Sequence, residues 1–143
     1  MARVKPSAII AEKSKTDIQF GLLRFMFACT VIASGITGLG LLISPSLVES
    51  IIGWPNDTPT ISGIAGSVYL AFALLSLFGL REPVKFAPLL LLQLCYKSIL
   101  VIVLLPMLLG SQPAPYVILL IVSSAFFIIG DLAAIPFRYI FGE

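Results

Sequence analysis

Four apolar stretches, at about residues 20–43, 61–80, 86–109 and 116–136, dominate this chain. A helix that crosses some 30 Å of hydrocarbon needs about 20 mostly apolar residues, and each stretch supplies them. Four such helices use up nearly all of the 143 residues, so no length remains for a soluble domain beside them. The expected fold is therefore all-α, an integral membrane four-helix bundle running up-down-up-down. Residues 1–19 form an N-terminal arm, residues 20–139 the single four-span domain, and residues 140–143 a short tail.

Composition supports the same reading. Hydrophobic residues make up 59% of the chain and charged residues 11%, with a mean hydropathy of +1.09. A soluble domain carries about 25% charged residues, so the lipid bilayer is the expected partner. A net charge of +2 and the lack of a basic, aromatic-interleaved surface exclude nucleic acid. There is no histidine, and Cys29 and Cys95 form no CxxC pair, so neither a metal site nor thiol redox chemistry is expected, and no cofactor. Both cysteines are expected as small buried hydrophobes. The first apolar run outlasts the roughly 7–15 residues of a signal-peptide core and no small-residue cleavage site follows, so it is read as an uncleaved anchor.

Lysine and arginine are distributed unevenly. Arg3, Lys5, Lys13 and Lys15 precede the first span, Arg81 and Lys85 lie between the second and third, and Arg138 follows the fourth. The loops at 44–60 and 110–115 contain none. Positively charged flanks stay on the cytoplasmic side, so both termini and the middle loop are expected there, in a multi-pass protein of the cell inner membrane. Lys13 and Lys15 place the arm beside anionic headgroups.

The first external loop carries helix signals. Ser44-Pro45 is a cap followed by proline at the first helical position, and Ser46 with Glu49 offers a capping-box start two residues later. Leu47, Val48, Ile51 and Ile52 share one face and Gly53 supplies a stop, which predicts a short interfacial helix followed by Trp54 in the headgroup layer. The Arg81–Lys85 and Gly110–Pro115 connections are short, so consecutive spans should be antiparallel neighbours.

Burial does not drive helices together in lipid; close approach at small residues and interhelical hydrogen bonds do. In the second span Ser62, Gly66, Tyr69, Ala73 and Ser76 recur at helical spacing. Ser34 with Gly38, and Gly21, Ala28 and Gly35, are the candidates in the first span. Ser123, Ser124, Gly130 and Ala134 are those in the fourth.

Three ionisable side chains fall inside the apolar spans: Arg24, Lys97 and Asp131. At 1.5 Å per residue, Arg24 lies roughly 6–9 Å from the cytoplasmic end, Asp131 about 8 Å, Gln93 about 10 Å and Lys97 about 16 Å, near the midplane. Intramembrane charges are costly and expected to pair, so Asp131 should meet Arg24 or Lys97. Together with Gln93 and Tyr96 they nominate a ligand-binding group open to the cytoplasm, suited to a small anionic or quinone- or lipid-like molecule. None of these residues forms a recognised catalytic set.

The order of features resembles the DoxX-like group of small four-helix membrane proteins. The elements that carry the resemblance are Gly53-Trp54-Pro55, the Gly/Ala-rich run Gly63–Ala73 and the Arg81-Glu82-Pro83 turn, within residues 20–136. Gln93, Lys97, Gly130 and Asp131 have no counterpart in that pattern. Some members are similar to subunits of thiosulfate–quinone oxidoreductases, so the resemblance implies an accessory subunit or scaffold of a membrane assembly and assigns no catalytic residue. A homo-oligomer or other membrane subunits are the expected protein partners.

Overall fold

A computed structural model describes residues 6–55 and 58–141. It is all-helical over those residues: α1 (Pro6–Ile43), α2 (Pro45–Ile52), α3 (Pro59–Arg81), α4 (Ala87–Leu108), α5 (Pro115–Ala134) and α6 (Phe137–Phe141). Phe20–Ile43 of α1 and the whole of α3, α4 and α5 are long and apolar enough to cross a membrane. Helices bond all their backbone polar groups internally, the condition for crossing hydrocarbon. The protein is a multi-pass membrane four-helix bundle, and its exposed faces are apolar, as contact with lipid requires: Ile36, Ile102 and Ile129 are all 70% exposed. α1 begins well before the expected span, so the backbone of the arm from Pro6 onward is part of the same helix. Arg3, Lys5 and the end of the 140–143 tail lie outside the described residues, as do the side chains of Lys13, Lys15 and Arg138.

Proline marks the helix starts. α2, α3, α4 and α5 each carry one in the first two positions, where the missing N–H would have had no helical partner. At the other end of α5, Pro136 forces Ile135 into an extended conformation (φ −68°, ψ 124°), which stops the helix at Ala134. α2 starts from Ser44 and not from the Ser46–Glu49 box, and the Ser44 hydroxyl makes no capping bond. Gly53 closes α2 in the left-handed conformation (φ 71°), donating its N–H to the Glu49 carbonyl at 2.8 Å. Nothing on α2 is fully buried; Val48 and Ile52 turn toward the bundle while Leu47 and Ile51 face outward.

The four spans form a ring, each packed against its neighbour in sequence and α1 against α5. The most extensive seam joins α1 and α3. Ser62, Gly66, Ala73 and Ser76 are buried in α3 with Tyr69 half-buried between them, so the small-residue stripe is the packing face. It meets Gly35, Gly38 and Leu41 of α1. The closest approach is at Gly38, where a Cβ would lie 2.7 Å from the Leu70 nitrogen and 2.9 Å from the Gly66 oxygen. Of the expected Gly21, Ala28 and Gly35, Gly35 joins this face, where a Cβ would lie 3.6 Å from that of Ala73. Gly21 is exposed and the other two half-buried, while Leu23, Met26, Phe27 and Thr30 turn inward.

The end of the bundle that carries Arg81 is packed with buried apolar side chains. Leu23, Met26, Phe27, Leu90, Phe127, Ala134 and Ile135 form its core. Two glycines admit the bulky members: the Phe27 ring lies against Gly79 and the Met26 thioether against Gly130, each where a Cβ would stand. The α3–α4 seam is the sparsest around the ring, and aromatic side chains span it, with the Phe72 and Tyr96 ring centroids 5.3 Å apart.

Candidate functional site

Lys97 lies at the middle of α4, ten residues from its start, and is 5% exposed. Its ammonium is held over three rings, at 5.2 Å from the centroid of Tyr96, 5.3 Å from Phe127 and 5.8 Å from Tyr69. Ring faces carry negative charge and attract a cation within about 6 Å, an attraction that strengthens when water is excluded. The rings position the ammonium without using its N–H donors. Tyr69 of α3 and Tyr96 of α4 thus meet at the same ammonium, which links the two helices beside it.

The Lys97 side chain lines a cavity of about 190 Å³. Ala33, Ser34 and Thr37 of α1, Tyr69 of α3, and Leu119, Leu120, Ser123 and Phe127 of α5 form its walls. Ile52 and Trp54 lie at its end. α1 and α5 are pinned together at Met26 and Gly130, and the cavity lies beyond that contact, toward Trp54. The expected pocket lay toward the Arg81 end; there Phe27, Met26, Leu90 and Ile135 pack as a core, beside a smaller cleft of about 40 Å³ lined by Phe20, Leu23, Val84, Ala134 and Pro136. Trp54 packs against Tyr116 of α5 at 6.4 Å between centroids, and its buried Nε1 donor has no partner. Among the described residues that line it, the polar side chains are those of Lys97, Trp54, Ser34, Thr37, Tyr69 and Ser123, and none of them is a carboxyl.

Asp131 is fully buried and not among the residues that line the cavity, and its two oxygens complete no hydrogen bond of standard geometry. Its polar neighbours are Gln93 and Lys97, both on α4 one turn apart. Gln93 is 2% exposed, and its Oε1 lies 3.2 Å from the hydroxyl of Thr30, which also bonds the Met26 carbonyl at 2.9 Å. Asp131, Gln93 and Thr30 therefore bring α5, α4 and α1 together in one polar layer beneath the cavity. Lys97 is shared between that layer and the cavity.

The expected ion pair is not made. Neither Arg24 nor Lys97 reaches ion-pair distance of Asp131, and the salt bridge the described residues do form is Lys85–Glu82 at 2.9 Å, exposed and outside the spans. Arg24 faces outward because the inward face of α1 passes through Leu23, Phe27 and Thr30. It stands apart from Gln93, Tyr96, Lys97 and Asp131, and its long stem suits it to reach headgroups instead. Cys29 is half-buried and Cys95 exposed, so the second is not the buried hydrophobe expected.

Reading the sequence missed Thr30, Thr37 and Trp54 as parts of the site. Thr30, Ser34 and Gly38 recur every four residues, a small polar stripe that would have identified the inward face of α1. No family model matches the chain, and no curated protein or solved structure matches it either.

Proposed function

We propose that this protein binds a small, weakly hydrated anion, or a lipophilic molecule bearing an anionic or carbonyl-rich end, in the cavity between Lys97 and Trp54. The observation that carries this reading is the one-sided chemistry of the lining. Lys97, Trp54, Tyr69, Ser34 and Thr37 have hydrogens to donate, and none of the described lining residues is a carboxylate. Apolar walls with a few convergent polar groups are the usual makeup of a small-molecule site. The volume suits a headgroup or a compact aromatic acid better than a large cofactor. On the positive-inside distribution of charge the termini are cytoplasmic and the membrane is the inner one, so the cavity faces the other side.

The test is anion binding by purified protein in nanodiscs, followed through Trp54, the single tryptophan of the chain. Benzenesulfonate is a suitable probe, since its charge does not change with pH. Saturable change in Trp54 emission is expected, and Lys97→Met, which keeps the bulk of the stem and deletes the charge, should abolish it without loss of folding. A Lys97→Met protein that binds as tightly as the parent would defeat the reading. Loss of folding would place Lys97 in the structural network.

A second reading, as a subunit of a larger membrane assembly or a homo-oligomer, is favoured by the outward side of α3. Gly63, Ser67 and Ala71 recur there every four residues on a half-buried to exposed face, and nothing lies within 4 Å of a Cβ built on Gly63. Small residues at this spacing allow close helix approach. Cross-linking in native membranes, with Ala71→Leu as the blocking variant, tests it.

A further inference from the structure

Among the described residues, the interior of the bundle holds one ammonium, Lys97, and one carboxyl, Asp131. Around Asp131, α4 contributes Lys97, Tyr96 and Gln93. α3 contributes Tyr69, through its contact with Tyr96. α1 contributes Thr30 by way of Gln93, its own Arg24 being exposed and Cys29 half-buried. α5 has no other acidic or basic side chain between Pro115 and Ala134. With both groups ionised the buried pair is neutral overall. An anion bound at Lys97 brings the interior to two negative charges against one positive, in surroundings where an uncompensated charge is strongly disfavoured.

We propose that anion binding at Lys97 is coupled to uptake of one proton by Asp131, so that anion and proton are taken up together. This rests on the anion-binding reading of the cavity. The balance is simple: the anion enters with its single negative charge, a proton from bulk water bonds to an Asp131 oxygen, and the buried net charge is zero before and after. The anion takes the place of the Asp131 carboxylate as the negative charge that balances Lys97.

The neighbours of Asp131 can serve both of its forms. The Thr30 hydroxyl has one hydrogen and two acceptors in reach, the Met26 carbonyl and Gln93 Oε1. While Asp131 is ionised, Thr30 donates to Oε1 and the Gln93 Nε2 hydrogens face the carboxylate. Once Asp131 is protonated, the amide turns over: the carboxylic acid donates to Oε1, Nε2 donates to the Thr30 oxygen, and Thr30 donates to Met26. Amide and hydroxyl groups carry the donors and acceptors needed for either arrangement. An apolar residue at position 93 or 30 would serve neither form as well.

The experiment is the benzenesulfonate titration of the full chain in nanodiscs across a pH series, with proton uptake counted by indicator dye in weakly buffered solution. One proton per anion is expected, with affinity rising up to tenfold for each unit that pH falls while Asp131 is ionised in the free protein. Asp131→Asn, a neutral near-isostere, should bind with affinity independent of pH and without proton uptake. Proton uptake that persists in Asp131→Asn, or pH-independent binding by the parent, would overturn the coupling. Should Asp131→Asn fail to fold, infrared difference spectra of the parent decide. A protonated-carboxyl band that grows on adding the anion supports the coupling, and its absence overturns it. If the parent gives no Trp54 response at any pH, the anion reading itself fails, and the coupling with it. Binding without proton uptake removes the coupling alone.

Discussion

Alanine at Gly38 should destabilise the protein where alanine at Gly35, one turn earlier on the same helix, should stabilise it. At Gly38 the new Cβ would stand 2.7 Å from the Leu70 nitrogen and 2.9 Å from the Gly66 oxygen, where ordinary contact begins at 3.4 Å. Both obstacles are backbone atoms, so no side chain can rotate away and α1 and α3 must part. Overpacking of this kind costs about 1–3 kcal/mol. At Gly35 the nearest atom to the new Cβ would be that of Ala73 at 3.6 Å, an ordinary contact. Both substitutions gain the same helix-propensity advantage of alanine over glycine, about 0.8–1.0 kcal/mol, so the difference between them isolates the clash. Heating the two variants and the parent in one detergent, and reading the fraction that remains monodisperse, measures that difference. A Gly38→Ala protein as stable as Gly35→Ala would refute the placement of the α1–α3 crossing.

Asp131 and Arg24 should behave differently, although the sequence suggests them as partners. Asp131→Leu removes the carboxyl nearest to a buried ammonium and should lower thermal stability, whereas Arg24→Leu, at an exposed position, should change it by no more than about 0.5 kcal/mol. Thermal unfolding of the two variants in detergent checks this, and equal losses would mean that the two residues act together after all. For topology, reporter fusions after Thr60 and at Glu143 should report opposite compartments; the same compartment for both would rule out four spans.

The spans and their order were legible because apolar length alone decides them. The α3 packing face was legible as well, since Ser62, Gly66, Ala73 and Ser76 advertise one stripe in a helix otherwise made of large apolar residues. Other features depend on pairs of residues distant in the chain. Which end of the bundle is packed with apolar side chains is decided by Phe27 against Gly79 and Met26 against Gly130, and neither glycine announces its occupant. Depth along a helix could be counted for Arg24, Lys97 and Asp131, and it placed Lys97 at mid-helix. Direction could not: Arg24 and Leu23 are adjacent in sequence, yet one faces outward and the other is in the core. Lys97 was legible as an anomaly, but the side from which it is reached follows from the contact between α1 and α5.

The prolines at the helix starts bear on how such a bundle is made. A proline in the first turn sets where a helix begins without help from any neighbour, and four of these helices have one. During insertion α3, α4 and α5 can therefore fix where they begin before they meet the other spans. Lateral association then brings together segments whose levels already agree, as with Asp131 of α5 beside Gln93 of α4. A chain that must align a buried carboxyl with a buried amide across separate helices gains most from such prior trimming. Moving the proline of α5 by a single residue would be felt first as slow or heterogeneous assembly, before any loss in the finished protein.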